Sequence, residues 1–156
     1  MKIVKYVGED QKRFDELLRL FLADEYRVTQ RAAWAVSYCS IDHPELIQKH
    51  LKKILLNLEK PVHVAVKRNT LRLLQFIPIP KSLQGIAAEI CFRFLNDLKE
   101  PVAIRVFAMS VLGNICKDHP ELSNELRLSI DAQLPCGSAG VHSRAKKVLK
   151  GLKTNN

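Results

Sequence analysis

A repeat of 36 to 39 residues constrains the fold of this chain more than any other feature of its sequence. Four basic residues mark its copies, separated by 36, 38 and 39 residues: Arg31, Lys67, Arg105 and Arg144. After the first of them, Trp34, Ala35 and Tyr38 follow at offsets of three, four and seven, and the next two copies carry mostly apolar side chains there. These offsets share one face of an α-helix. The spacing therefore predicts helical hairpins stacked along the chain.

A second marker has the same period. Residues 42–46 and 118–122 share the sequence Asp-His-Pro-Glu-Leu, and Pro80 stands at the corresponding place between them. Proline at the first helical position loses no hydrogen bond, because that N–H has no partner within the helix. An acidic side chain there suits the positive end of the helix dipole. We therefore expect this marker to open the first helix, A, of a repeat, and Pro61 and Pro101 to open second helices, B.

Eight helices are predicted, because nearly every segment shows the i, i+3, i+4, i+7 pattern of apolar side chains and none alternates like a strand. The A helices are expected near 10–22, 44–58, 80–98 and 120–133, and the B helices near 25–40, 61–77, 101–117 and 139–152. The predicted fold is all-α, a right-handed α-α superhelix (solenoid) of about four helical hairpins. It forms a single domain over residues 1–156, with repeats at roughly 10–41, 42–78, 79–117 and 118–153. Only residues 1–8 and 153–156 are predicted to be loose ends.

Two B-helix openings carry a resemblance to a known family. The sequences Thr-Gln-Arg-Ala-Ala at 29–33 and Ala-Ile-Arg-Val-Phe at 103–107 resemble the HEAT-repeat and armadillo-like superfamily, where a basic residue precedes small apolar ones. The resemblance covers residues 10–152 and also rests on the repeat length and the prolines that open helices. Members often carry an acidic residue shortly before the basic one, and Glu25 occupies that place, whereas Pro61 and Ser138 stand there in two other repeats. The resemblance implies a divergent member with this fold, which does not by itself specify a function.

The acidic residues avoid one set of helices. The chain has a formal net charge of +9, and none of its 16 acidic residues lies between 25 and 42, 59 and 89, or 100 and 118, or after 131. Those windows contain the four B helices. In solenoids that this chain resembles, the B helices line the concave face, which implies a basic concave surface that attracts an anionic partner. The residues predicted to bind it are Arg27, Arg31, Lys67, Arg68, Arg72, Arg105, Arg144, Lys146 and Lys147.

Structural roles compete with binding for several of these cations. The four that mark the repeat can instead bond carbonyl or carboxylate oxygens of neighbouring repeats. Arg68 and Arg72 lie four residues apart on one helical stripe, but the corresponding residues of the next repeat are uncharged, so the stripe does not recur. Lys146 and Lys147 fit a solvated C-terminal helix equally well. These alternatives stay open on the sequence alone.

No set of residues has the spacing of an active site. No two histidines stand at i, i+4 as in a helical zinc site, and no nucleophile with its base can be assigned from spacing. His43 and His119 precede helix-opening prolines, where a capping or packing role is expected. The carboxylate pair Asp15 and Glu16 falls on an amphipathic helix, where we expect it to be solvated. We therefore predict a protein without catalytic residues, metal or cofactor.

The cysteines and the hydropathy indicate an intracellular location. The four cysteines stand far apart, at Cys39, Cys91, Cys116 and Cys136. Such spacing is unlike a disulfide framework or a zinc site, so we predict buried free thiols and a reducing, cytoplasmic environment. No apolar run approaches the roughly 18 residues of a membrane span, so no membrane partner is expected.

Three functions remain open. The first is a non-catalytic binding or scaffold module whose basic concave surface binds an anionic partner, nucleic acid among them. The second is a protein–protein scaffold for an acidic peptide or helix, which an exposed apolar strip at Val106 or Phe107 would favour. The third follows from a resemblance, in fold and charge, to DNA glycosylases built of HEAT-like repeats, which use a tryptophan and an aspartate. Trp34 is available for this role, or for contacts between repeats, but the B helices carry no carboxylate.

Overall fold

Helices account for 79% of the computed structural model, which describes residues 2–23 and 25–153. These residues form ten α-helices and no strand: α1 Lys2–Val7, α2 Gln11–Leu22, α3 Tyr26–Asp42, α4 Pro44–Gln48, α5 Leu51–Asn57, α6 Val64–Leu74, α7 Lys81–Asn96, α8 Val102–Ile115, α9 Ser123–Gln133 and α10 Ala139–Lys153. Two 3-10 turns, Pro120–Leu122 and Leu134–Cys136, flank α9. The all-α fold class is confirmed.

The predicted helices are present, with two differences in their bounds. The second A helix is divided into α4 and α5, and the break places Nε2 of His50 2.7 Å from Oδ1 of Asp15 in α2. The prediction that Pro61 opens a helix is wrong, because α6 begins at Val64. His63 provides the cap there: its Nδ1 accepts a hydrogen bond from the Ala65 N–H at 3.1 Å, which satisfies one of the free donors of the first turn.

The N-terminal residues are ordered, contrary to the prediction of a loose end. Residues 2–7 form α1, which contacts α2 and α3 and buries Val7. The guanidinium of Arg13 lies over the Tyr6 ring, 4.3 Å from its centroid, and donates a hydrogen bond to the Tyr6 carbonyl at 2.7 Å. Of the predicted C-terminal loose end, Lys153 is the last residue of α10, and residues 154–156 lie outside the described residues.

The contacts divide the chain into two compact units, residues 1–79 and 80–156. In the N-terminal unit, α2 packs against α3, and α3 packs against α6. In the C-terminal unit, α7 packs against α8, and α8 packs against α10. Within each unit, therefore, the B helices of two successive repeats lie side by side, as expected for stacked hairpins. The single domain over residues 1–156 stays a prediction.

The core of each unit comes from the apolar face of its helices. In α2 this face consists of Phe14, Leu17, Leu18 and Phe21, which are all buried. Burying one such side chain stabilises the fold by roughly 1.5–3 kcal/mol. The B helix α8 is apolar on most sides, and seven of its side chains are buried, Ile104 and Leu112 among them. Because α8 lies between α7 and α10, both of its sides are covered.

Glutamines near the starts of three A helices bond to residues about one repeat length further along the chain. Gln11, Gln48 and Gln84 stand 37 and 36 residues apart, which is the period of the repeat. Their Nε2 atoms donate to the Leu46 carbonyl at 3.0 Å, the Pro78 carbonyl at 3.1 Å and the Asp118 carboxylate at 2.9 Å. Each acceptor lies 30 to 35 residues further along the chain. The bonds from Gln11 and Gln84 reach the start of the next repeat, whereas the bond from Gln48 reaches the last residue of its own repeat.

A buried hydroxyl in α6 provides a test of how the core is packed. The Thr70 side chain is fully buried, and its Oγ1 has no hydrogen-bond partner within the part of the chain that the structure describes. An unbonded buried hydroxyl costs about 1–3 kcal/mol. Thr70→Val keeps the shape and removes the hydroxyl, so we expect the midpoint of thermal unfolding to rise by roughly 2–4 °C. Circular dichroism at 222 nm measures it, and a lower midpoint would show that the hydroxyl is bonded.

Candidate binding surface

The exposed side of α3 carries basic and aromatic side chains in one stripe. Arg27, Arg31, Trp34 and Tyr38 follow one another at spacings of four, three and four residues, so they share a helical face. The opposite face of α3, which includes Ala33 and Val36, is buried. Burial of that face therefore directs this stripe away from the core.

The two aromatic rings of this stripe are in contact with each other, and one of them is also in contact with an arginine. The ring centroids of Trp34 and Tyr38 lie 4.5 Å apart at an interplanar angle of 47°. The Arg72 guanidinium, from α6, lies over the Tyr38 ring with its carbon 4.6 Å from the centroid. A cation over an aromatic face at this distance is attracted by the ring quadrupole. Trp34 remains 39% exposed, so part of its side chain is accessible to a ligand.

Contacts at both ends show that α3 and α6 run parallel. At their first residues, Tyr26 meets His63 edge-on with ring centroids 4.5 Å apart, and near their last residues Tyr38 meets Arg72. Arg68 lies one turn before Arg72, as Trp34 lies one turn before Tyr38. Arg68, which is exposed, therefore lies at the level of Trp34. We call Arg27, Arg31, Trp34, Tyr38, Arg68 and Arg72 the α3/α6 surface.

The charge of this surface is positive over its whole central part. Arg27, Arg31 and Arg68 are exposed, and α6 contains no acidic residue. Two acids flank the stripe, Glu25 at the N-cap of α3 and Asp42 at its last residue. Both are eight or more residues from Trp34, or about 12 Å along the helix axis. The predicted site residue Lys67 is half-buried beside this surface.

Two predicted binding residues of the C-terminal unit are engaged in contacts between helices. Arg105 donates from Nε to the Glu100 carbonyl at 3.1 Å and from Nη1 to Oε1 of Gln133 in α9. Arg144 donates from Nη1 to the Ser110 hydroxyl in α8. Both are half-buried. Both residues therefore have the structural role that was the alternative to binding, in which the repeat-marking cation connects neighbouring helices.

The remaining predicted cations of the C-terminal unit lie on α10. Lys146 and Lys147 are exposed there, and Lys146 borders a shallow cavity of about 590 Å³ together with His142, Lys150 and Lys153. At the two positions named as examples of an exposed apolar strip, Val106 is buried and Phe107 is half-buried. One basic concave face spanning all four hairpins stays a prediction.

The thiols and histidines have structural surroundings. Cys39, Cys91 and Cys116 are buried free thiols as predicted, whereas Cys136, in a 3-10 turn, is exposed, contrary to prediction. Burial raises the pKa of Cys91 to about 12, so its reactive thiolate does not form at neutral pH. Within residues 2–23 and 25–153, no group of three or more histidine, cysteine or acidic side chains is arranged to hold a metal ion.

The two recurring histidines have the same surroundings in both units. His43 and His119 are the N-cap residues of the proline-opened turns, but their side chains make no capping hydrogen bond. Instead, Nδ1 of each ring faces the glutamate two residues later, 3.4 Å from Glu45 and 3.1 Å from Glu121. These contacts explain the recurrence of the Asp-His-Pro-Glu-Leu sequence as a local feature of the repeat.

Asp15 is not a simply solvated carboxylate, contrary to the prediction from its amphipathic helix. Its oxygens lie 2.7 Å from Nε2 of His50, 3.0 Å from Nζ of Lys49 and 2.8 Å from Nε2 of Gln11. Partial burial raises the pKa of Asp15. The hydrogen bonds from His50, Lys49 and Gln11, with the charge of Lys49, outweigh that effect and lower the pKa from 3.8 to about 2. The cluster therefore connects α2 to the break between α4 and α5.

We expect Asp15→Asn to destabilise the protein by about 1 kcal/mol at pH 7, since solvent weakens the bonds of a side chain that is 38% exposed. A carboxylate whose pKa is lower in the folded than in the unfolded protein stabilises the fold at pH values above its unfolded pKa. This stabilisation is lost as the pH falls to the folded pKa. The difference from wild type should therefore disappear between about pH 4 and pH 2. Urea unfolding at several pH values measures it. The control is Glu16→Gln, an exposed acid one residue along, and a difference independent of pH would contradict the ionic explanation.

Comparison with known proteins identifies the family. A family model described as a HEAT repeat domain matches residues 1–152. The chain belongs to the HEAT repeat family. The match includes α1, which lies outside the predicted repeats. No curated protein and no solved structure matched the chain.

HEAT repeats are generally scaffold and interaction modules and are typically non-enzymatic. This agrees with the coarser part of the predicted function, a non-catalytic binding module. Among residues 2–23 and 25–153, no helix combines the length and the apolar character needed to cross a membrane. The family therefore indicates binding, and the α3/α6 surface is the place where this HEAT repeat chain presents charge and exposed aromatic rings together.

Proposed function

We propose that this HEAT repeat chain binds single-stranded nucleic acid on the α3/α6 surface of its N-terminal unit. The observation that carries the proposal is the contact of Trp34 with Tyr38, with the Arg72 guanidinium on the Tyr38 ring. Aromatic rings surrounded by cations are the usual means of holding unpaired bases and phosphates together. A purely electrostatic surface would need no exposed tryptophan.

The aromatic pair favours a single strand over a duplex. An unpaired base exposes its faces for stacking, which contributes about 1–3 kcal/mol per base, whereas duplex bases already stack on each other. Trp34 provides the exposed ring, and Tyr38 with Arg72 supports it from behind. Arg27, Arg31 and Arg68 supply the positive charge for phosphates. These cations are exposed, so the proposed site needs no rearrangement of the core.

The geometry around Trp34 does not favour the glycosylase alternative. That reading requires a carboxylate close to the tryptophan. The acids of α3, Glu25 and Asp42, lie about 12 Å away along the axis at its two ends, and α6 carries none. Binding without chemistry is therefore the proposed activity, in agreement with the typical role of HEAT repeats.

Fluorescence anisotropy with a labelled single-stranded oligonucleotide, and with its duplex, tests the proposal. Releasing counterions from about four phosphates should give a slope of log affinity against log salt near −3 for the single strand. We expect the single strand to bind more tightly than the duplex, because only its bases can stack on Trp34. Absence of binding at about 50 mM salt would refute the proposal, since phosphate contacts are strongest there. Equal affinity for the duplex would refute the stacking role.

A further inference from the structure

A second basic surface lies on the A helices of the N-terminal unit. Helices α2 and α5 border a groove of about 780 Å³, with a cation at five places along its sides: Arg19, Lys49, Lys52, Lys53 and Lys60. The acidic residues of the chain lie on the A helices or at their borders. Here the groove is positive instead, because the acids of α2 precede Arg19 and α5 itself contains none.

The floor of this α2/α5 groove is apolar. Leu22 and Leu56 line it, and Leu56 is 44% exposed although it follows the buried pair Ile54 and Leu55. Leu56 is therefore accessible to a ligand between the lysines. A leucine surrounded by cations suits a ligand with an apolar face and acidic flanks.

The spacing along the chain sets the size of this ligand. Lys52, Lys53 and Leu56 lie on α5, whereas Lys49 lies in the break before this helix and Lys60 lies beyond its last residue, Asn57. The seven residues of α5 extend over about 10 Å, which corresponds to about two turns of a docked helix. Lys49 is the one cation of this set with a described ion pair, to Asp15 at 3.0 Å. The groove therefore keeps its positive charge.

We propose that the α2/α5 groove binds an acidic amphipathic helix of a protein partner, with leucine-like side chains on Leu22 and Leu56 and carboxylates toward the lysines. The proposal concerns a different surface from the α3/α6 surface and does not depend on nucleic-acid binding. None of the described residues that line the groove is aromatic, so none of them offers a ring on which a base could stack.

Anisotropy titration with a labelled peptide of about 16 residues tests this. The peptide carries leucines at i, i+3, i+4 and i+7, glutamates on both flanks and alanines elsewhere. A scrambled peptide of the same composition, with its leucines spread around the helix, is the control for charge alone. We expect the amphipathic peptide to bind at least tenfold more tightly than the scrambled one. Equal binding of the two would overturn the proposal.

Two variants of the full chain separate the charge from the apolar floor. Lys52→Glu/Lys53→Glu should weaken peptide binding more than tenfold, and Leu56→Gln should weaken it about fivefold with little change in salt dependence. Arg68→Glu/Arg72→Glu makes the same change in net charge on α6, outside the groove, and should leave peptide binding unchanged. Unchanged binding in Lys52→Glu/Lys53→Glu would overturn the assignment. Loss of binding to phosphatidylserine vesicles or to oligonucleotide in that variant would also overturn the assignment. The groove would then bind a membrane or a nucleic acid instead of a helix.

Discussion

Replacing Arg68 and Arg72 by glutamate is expected to weaken binding of a single-stranded oligonucleotide by more than about 100-fold. Each charged hydrogen bond to a phosphate is worth about 1.5–3 kcal/mol, and glutamate replaces that attraction with repulsion. Arg72 also supports the Tyr38 ring, with its guanidinium carbon 4.6 Å from the centroid. The variant therefore loses charge and part of the stacking platform together. Anisotropy at about 50 mM salt, where the wild type binds most tightly, measures the loss.

The matched control is Lys52→Glu/Lys53→Glu, which makes the same change in net charge on α5. It should keep oligonucleotide affinity within about threefold, because its lysines are not part of the α3/α6 surface. Trp34→Ala separates stacking from charge: we expect a loss of about 1–3 kcal/mol of binding free energy with an unchanged salt slope. Equal losses in the two charge variants would show that net charge, and not this surface, determines binding.

Gln133→Ala is expected to lower the free energy of unfolding of the C-terminal unit by about 3 kcal/mol. The Gln133 side chain is 3% exposed. Its Oε1 accepts from Nη1 of Arg105, and its Nε2 donates to the Leu95 carbonyl at 2.9 Å. Alanine leaves a buried carbonyl and a half-buried guanidinium without these bonds, and each such loss costs about 1–3 kcal/mol. Removing one glutamine side chain thus removes a hydrogen bond from α9 to α7 and another from α8 to α9.

Urea unfolding followed by circular dichroism measures this change, with Leu128→Ala as the control on the same helix. Leu128 is 71% exposed, so its truncation should change stability by no more than about 0.5 kcal/mol. The only tryptophan, Trp34, belongs to the N-terminal unit, so its fluorescence follows that unit separately. A Gln133→Ala variant as stable as wild type would show that water replaces the glutamine at both partners.

The repeat-marking cations show what a repeat in the sequence can and cannot predict. Arg31 and Arg105 stand at equivalent places of the repeat, and the sequence alone left binding and structural roles open for both. Arg31 is exposed on the α3/α6 surface, whereas Arg105 bonds to Gln133, 28 residues away. A period in the sequence places both at the same register of a helix. The difference comes from what neighbouring helices present to each of them.

Other contacts in the structure were not predicted from the sequence. The period of Gln11, Gln48 and Gln84 matches the repeat and could have been recognised from their spacing. The Asp15 and His50 pair could not, because its members lie 35 residues apart in different helices and share no motif. Their contact depends on the break between α4 and α5, which the apolar periodicity of 44–58 conceals.

The sequence by itself determined the all-α class, the repeat, most helix positions and the stripe of Arg27, Arg31, Trp34 and Tyr38. These follow from local rules, since helical periodicity and helix-opening prolines act over a few residues. Only the tertiary structure decided that Arg72 lies on Tyr38, that Arg105 is a structural residue, and that α2 and α5 border a basic groove. Those features depend on which faces of separate helices meet. That choice is made by the shapes of many buried side chains together, and no short stretch of sequence contains it.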